Sequence, residues 1–135
     1  MKELNLPAAV HNITQVTQFV NEELKRLRCP DKARRQIDIA IDELFGNIAR
    51  HAYNPEVGNA TVSIEVHEDP LSVEITFTDN GKAYDPLAKA DPDVSLSAEE
   101  REIGGLGIFL VRKTMDRVEY EYKDGENILH LYKSF

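Results

Sequence analysis

The spacing of apolar residues changes period along the chain, and that change limits the folds open to it. From Val10 to Leu27, the residues Val10, Ile13, Val16, Val20, Leu24 and Leu27 recur every three or four positions, the spacing of one helix face. Cys29-Pro30 ends that helix, because the residue before a proline is pushed out of the helical region. Asp31 then reads as the N-cap of a second helix. Its stripe is Ile37, Ile41, Leu44 and Ile48, and it runs to about Tyr53, before Asn54-Pro55 and Gly58. Between residues 60 and 78 the period drops to two. Val62, Ile64 and Val66 alternate with Ser63, Glu65 and His67; beyond a turn at Asp69-Pro70, Val73, Ile75 and Phe77 alternate with Glu74, Thr76 and Thr78. Such alternation describes an antiparallel hairpin with one buried face.

The remainder of the chain repeats the switch. Asn80 to Ile103 is an interval of 24 residues without sustained periodicity, the kind of long loop that is usually functional. Gly104 to Gly107 opens a third helix carrying Ile108, Val111 and Met115. A second hairpin follows, with Val118, Tyr120 and Tyr122 on one strand, Asp124-Gly125 at the turn and Ile128 to Tyr132 on the other. With the alternating Leu4 and Leu6 at the start, the order is β, α, α, β, β, long loop, α, β, β. That order predicts an α+β fold, a two-layer sandwich of one mixed, mostly antiparallel sheet with helices on one face. No repeat, linker or low-complexity tract divides it, so residues 1–135 are expected to form a single domain.

Composition removes several function classes. A chain of 135 residues buries enough surface for a core without metal or disulfide staples, and the lone Cys29 allows no internal disulfide and no multi-cysteine zinc site. No apolar run approaches the ~20 residues that cross a bilayer, and no charged start leads into an apolar stretch, so a cytoplasmic protein without membrane contact is expected. The formal net charge is -8, unevenly spread: residues 25–35 carry +5 and residues 85–102 carry -4. An acidic chain with no aromatics among its clustered bases is a poor nucleic-acid surface. Each charged cluster reads first as a solvated face and second as a docking surface for a protein partner of opposite charge.

Three groups of residues fit poorly into this architecture. Glu43 and Asn47 lie one turn apart on the second helix, project in nearly the same direction and fall off the apolar stripe, so neither is expected in the core. His51 extends this polar ladder without the two-histidine spacing of a zinc helix. Asp79-Asn80-Gly81 stands where the strand carrying Phe77 ends; a carboxylate there accepts a hydrogen bond from an amino group, and Gly81 lets the backbone turn close to a ligand. Gly104-Gly105-Leu106-Gly107 precedes the third helix, where backbone amides and the helix dipole favour an anion. Taken singly, the first two groups read rather as ordinary helix polarity and a strand-ending turn, and the third reads equally as a hinge. Other phosphate motifs fail on their own geometry: Gly81-Lys82 is followed by Ala83 rather than Ser or Thr, and a dinucleotide fingerprint would need a third glycine where Leu110 stands. No serine sits at a nucleophile elbow, and Cys29 has no nearby histidine.

In this order, the three groups resemble the GHKL, or Bergerat-fold, ATPase superfamily. The stretches Asp42 to His51, Asp79 to Pro86 and Gly104 to Asp116 look most like its small single-domain branch, the bacterial anti-sigma-factor serine kinases, and the resemblance covers nearly the whole chain. It implies a histidine-kinase-like ATPase fold using ATP and Mg²⁺. It also implies Glu43 as the base for phosphoryl transfer, Asn47 as a metal ligand, Asp79 with Gly81 at the adenine, and Gly104, Gly105, Leu106 and Gly107 wrapping the phosphates as part of an ATP lid at about 82–107. The implied partners are an anti-anti-sigma-type protein as substrate, a sigma factor as the sequestered protein, and a second copy in a homodimer. The chain differs from that pattern at Ala83, where the superfamily often has a second glycine, and at Ile103, where relatives place an arginine that here falls at Arg101. A threonine that touches adenine in some relatives corresponds to Asn127 or Ile128, to which no role is assigned. The lid is expected to be mobile until nucleotide arrives. Two other readings stand beside the kinase: a non-catalytic switch module that binds ATP to set its affinity for a partner, and a catalytic fragment of a two-component histidine kinase.

Overall fold

A computed structural model describes residues 1–51, 58–88 and 105–135. The strands are β1 (Lys2–Pro7), β2 (Asn59–His67), β3 (Ser72–Asp79), β4 (Arg117–Lys123) and β5 (Glu126–Ser134); the helices are α1 (Ile13–Arg26), α2 (Asp31–His51) and α3 (Gly105–Thr114), with a 3-10 turn at Val10–Asn12. The stretches that alternate in sequence pair into one five-stranded sheet of order β1-β2-β3-β5-β4, and all four pairings are antiparallel. After β3 the chain crosses to the outer strand β4 and returns through Asp124-Gly125, both at positive φ, to place β5 beside β3. Positive φ at both central residues is what a two-residue hairpin turn requires.

One face of the sheet and the inner stripes of all three helices form a single buried cluster. The sheet contributes Val62, Ile64, Val73, Ile75, Phe77, Leu129 and Leu131, and the helices contribute Val16, Val20 and Leu24, then Ile37, Ile41, Leu44 and Phe45, then Ile108 and Val111. Phe45 of α2 meets Phe77 of β3 with ring centroids 6.5 Å apart. α2 is the central helix of its layer, flanked by α1 on one side and α3 on the other. Its covered arc is therefore wider than one stripe, and Leu44, Phe45, Gly46, Asn47 and Ile48 are buried in succession. Asp31 is the first residue within α2 rather than its cap; its carboxylate pairs with Arg34 at 2.8 Å, while the carbonyl of Pro30 takes the first helical bond, from the amide of Arg34.

Glu23 of α1 is charged and only 5% exposed. Its carboxylate accepts from the Arg26 guanidinium one turn on and from Lys2 of β1 at 3.0 Å, which ties the edge strand to the helical layer. Those two cations, Arg26 first, hold the carboxyl below the ordinary glutamate range against the opposing pull of burial. A lowered folded-state value stabilises the fold above the unfolded value of about 4.3, and this contribution disappears as pH falls through the folded one. Glu23→Gln should therefore be less stable than the parent in urea at neutral pH, with the gap closing as the solution is acidified. A gap that stays constant down to acid pH would show that the ion pairs do not hold β1 to α1.

Candidate functional site

The inner row of β3 runs Val73, Ile75, Phe77 and then, instead of a fourth apolar residue, Asp79. Directly across the ladder on β5 stands Asn127, which interrupts the apolar row of Leu129 and Leu131 in the same way. Both are buried, at 4% and 5% exposure. Oδ1 of Asp79 accepts from the amide of Gly81 and from Nδ2 of Asn127, each at 2.9 Å. Burial pushes the Asp79 carboxyl above the ordinary range, and the two donors pull the other way. An Asx turn of this kind lets Gly81 reverse the chain immediately after the strand.

Asp79 and Asn127 line a pocket with Leu44, Ile48, Phe77 and Leu129 of the core, Asn47 of α2, Tyr120 of β4, and Tyr84 and Pro86 of the loop as its cover. Only about 20 Å³ of it is free, room for one water and not for a larger ligand. The cover is tied down. Tyr84 stacks on His51 at the end of α2, ring centroids 4.5 Å apart. Asn127 accepts from the amide of Tyr84 at 3.1 Å, and Arg112 of α3 donates to the carbonyl of Leu87. The expected mobile loop thus begins, over residues 82–88, as a hydrogen-bonded segment; residues 89–104, with Arg101, Ile103 and Gly104, lie outside the described residues.

Asn47 is 9% exposed and lines this pocket, although its place off the apolar stripe predicts no core position. The difference comes from the helices that flank α2 and from the Tyr84 loop, which cover a side of α2 that the stripe leaves open. Its Oδ1 accepts from Arg50 at 3.1 Å. Glu43, one turn earlier, is half-buried and faces α3: a β-carbon built on Gly107 would fall within its carboxylate. Gly107 therefore has a steric reason to be glycine that its place in a glycine-rich run does not reveal. Gly105 and Leu106 form the first turn of α3 beside it. The structure so brings Asp79 and Asn47 to one pocket, with Gly81 in the turn bonded to Asp79 but not lining it, and Glu43 and Gly107 to a contact one helical turn away.

Three residues of the site escape a linear reading: Asn127, Tyr84 and Tyr120. The legible signal for Asn127 is a polar residue in the inward-facing register of a strand, the same signal that marks Asp79.

Residues 6–133 match the family model described as the histidine kinase-like ATPase domain. The chain belongs to that family. Among curated relatives, it is 34% identical over 131 residues to the serine-protein kinase RsbW of Listeria monocytogenes, covering 93% of this chain and 82% of that one. It is 29% identical over 129 residues to the serine/threonine-protein kinase BtrW of Bordetella bronchiseptica, covering 95% of this chain and 89% of that one. By these relatives, it is a serine/threonine-protein kinase of the family. Two solved structures share the fold: the RsbU and RsbW domains of a Mycobacterium tuberculosis protein, at TM-score 0.65 and 14% identity over 98% of this chain and 32% of that one, and the SiaB-SiaC complex of Pseudomonas aeruginosa, at 0.62 and 16% over 100% of this chain and 90% of that one.

The Gly107 contact is testable by itself. Alanine at position 107 would displace the Glu43 carboxylate, the free end of a flexible side chain, while adding up to about 1 kcal/mol of helix propensity. Gly107→Ala should keep or raise the thermal midpoint and move the Glu43 carboxyl carbon resonance. An unmoved resonance, or a large loss of stability, would contradict the contact.

Proposed function

We propose that this kinase passes the γ-phosphoryl group of Mg-ATP to a serine or threonine hydroxyl of a small anti-anti-sigma-type protein, and that it sequesters a sigma factor when that substrate is absent. It does so as a homodimer in the cytoplasm, with an ATP lid at about 82–107. The observation that carries the reading is Asp79. A carboxylate is kept in an apolar pocket with both of its hydrogen bonds among the described residues on Oδ1, which leaves Oδ2 as an acceptor for the amino group of adenine. The kinase class of the curated relatives supports transfer over binding alone.

The residues divide the work by position. Asp79 and the turn at Gly81 hold the base against Leu44, Ile48, Phe77 and Leu129. Asn47, at the edge of the same pocket, offers a neutral amide oxygen of the hard kind that Mg²⁺ takes alongside phosphate oxygens and water; Arg50 gives up its bond to that oxygen or shares it. Mg²⁺, when bound, supplies neutralisation of the charge on the phosphates. Glu43, one turn away on the same helix face, takes the proton from the attacking hydroxyl. Gly104, Gly105, Leu106 and Gly107 turn their amides to the phosphates, where the N-terminus of α3 favours an anion.

Calorimetry and a transfer assay with purified protein test these roles separately. Asp79→Asn should weaken ATP by about 1.5–3 kcal/mol, the scale of a hydrogen bond to a charged group. Asn47→Ala should remove most of the gain in ATP affinity that Mg²⁺ gives the parent. Glu43→Gln should bind Mg-ATP within a few-fold of the parent and transfer nothing, because an amide keeps the shape and cannot act as a base. Normal transfer by Glu43→Gln would end the general-base role. ATP binding by the parent without transfer to any anti-anti-sigma-type protein would favour the non-catalytic switch module.

A further inference from the structure

Asn127 has more work than holding Asp79. A carboxamide offers two N–H donors and two acceptor lone pairs. Here Nδ2 donates to Asp79 at 2.9 Å and to the carbonyl of Lys82 at 2.9 Å, while Oδ1 accepts from the amide of Tyr84 and from the hydroxyl of Tyr120. The group is saturated by partners on β3, on the loop after it and on β4, so it has no capacity left with which to read a base. It sits between two parts of the pocket that belong to different elements. The floor, Leu44, Ile48, Phe77 and Leu129, belongs to the core. The cover, Tyr84 and Pro86, belongs to the loop after β3, while Tyr120 on the outer strand β4 packs against the core beside it, and the pocket has room for one water. With the cover in this position the pocket has no room for a purine.

We propose that Asn127 is a positioning residue that latches the nucleotide pocket shut: its carboxamide clasps the 82–84 loop and Tyr120 to Asp79, and nucleotide binds through the fraction of molecules in which this clasp is open. The inference rests on the reading of Asp79 as the base-binding carboxylate. A threonine or serine at position 127 is too short to span Asp79, Lys82 and Tyr84 together, so it separates the two tasks, keeping a hydroxyl beside Asp79 while releasing the loop. In a two-state pocket the observed association rate scales with the open fraction, while dissociation from the open, occupied state does not. Releasing the clasp should therefore speed binding without speeding release.

The test uses the full chain and two variants, Asn127→Thr and the milder Tyr120→Phe, which loses one tie and keeps the Asp79 contact. Without nucleotide, amide exchange followed by NMR should speed at Tyr84, whose N–H is held by Asn127, and stay unchanged at Gly81, whose N–H is held by Asp79. With a fluorescent ATP analogue and Mg²⁺ in stopped flow, the association rate should rise about tenfold for Asn127→Thr and less for Tyr120→Phe, with the dissociation rate held within about twofold. Unchanged exchange at Tyr84 would overturn the clasp. Unchanged association with faster release would make Asn127 a direct base contact and overturn the latch. If the parent binds no ATP, the reading of Asp79 fails and the latch loses its function with it; parental affinity tells that failure apart from failure of the latch alone.

Discussion

A carboxylate at the end of the inward-facing row of β3 has to be supplied with hydrogen bonds, and much of the site's geometry follows from that need. Burying an ionised group without partners costs far more than a small domain can spare. Asp79 meets the demand with a backbone amide two residues on and a side-chain amide from the neighbouring strand. The first bond fixes the turn at Gly81, and so the path of the chain after it. The second recruits Asn127, whose remaining atoms collect Lys82, Tyr84 and Tyr120. Even with both donors, burial keeps the carboxyl above its ordinary range, because the two hydrogen bonds offset only part of the cost of taking its charge out of water.

α2 connects this pocket to the rest of the proposed chemistry. Asn47 lines the pocket, and Glu43, one turn away, meets α3 at Gly107. A helix fixed on both flanks holds two such side chains at constant separation, which suits phosphoryl transfer, where catalysis is mostly positioning and charge stabilisation. The loop that covers the base pocket is fastened to α2 through Tyr84 on His51 and to α3 through Arg112. The loop, α2 and α3 are therefore joined by direct contacts.

The architecture was largely legible in the sequence because hydrophobic period is a local property. The helices, the two hairpins and the first strand lie close to where the periods of 3.6 and 2 place them, although Val10, counted in the stripe of the first helix, is exposed in the 3-10 turn before it and the expected end of the second near Tyr53 lies outside the described residues; a fold of one sheet backed by helices follows from their order. What escaped depends on contacts between distant parts of the chain. Pairing of β3 with β5 brings Asp79 opposite Asn127 across 48 positions of sequence, and no local pattern specifies that register. The apolar stripe alone places Asn47 off the core, whereas α1, α3 and the Tyr84 loop widen the buried surface of α2. Gly107 was legible as a glycine in a glycine-rich run, but its need to make room for Glu43 requires two helices to be seen together.

The claim on which the account turns is that Asp79 is the base-binding carboxylate of a nucleotide site. Carboxyl carbon NMR of the parent protein tests it most directly, with the remote Glu23 as internal reference. The account predicts that Asp79 titrates above the ordinary aspartate range in the empty protein and that its resonance shifts on saturation with Mg-ATP while that of Glu23 stays in place. An Asp79 resonance that titrates normally and does not respond to saturating Mg-ATP would contradict it.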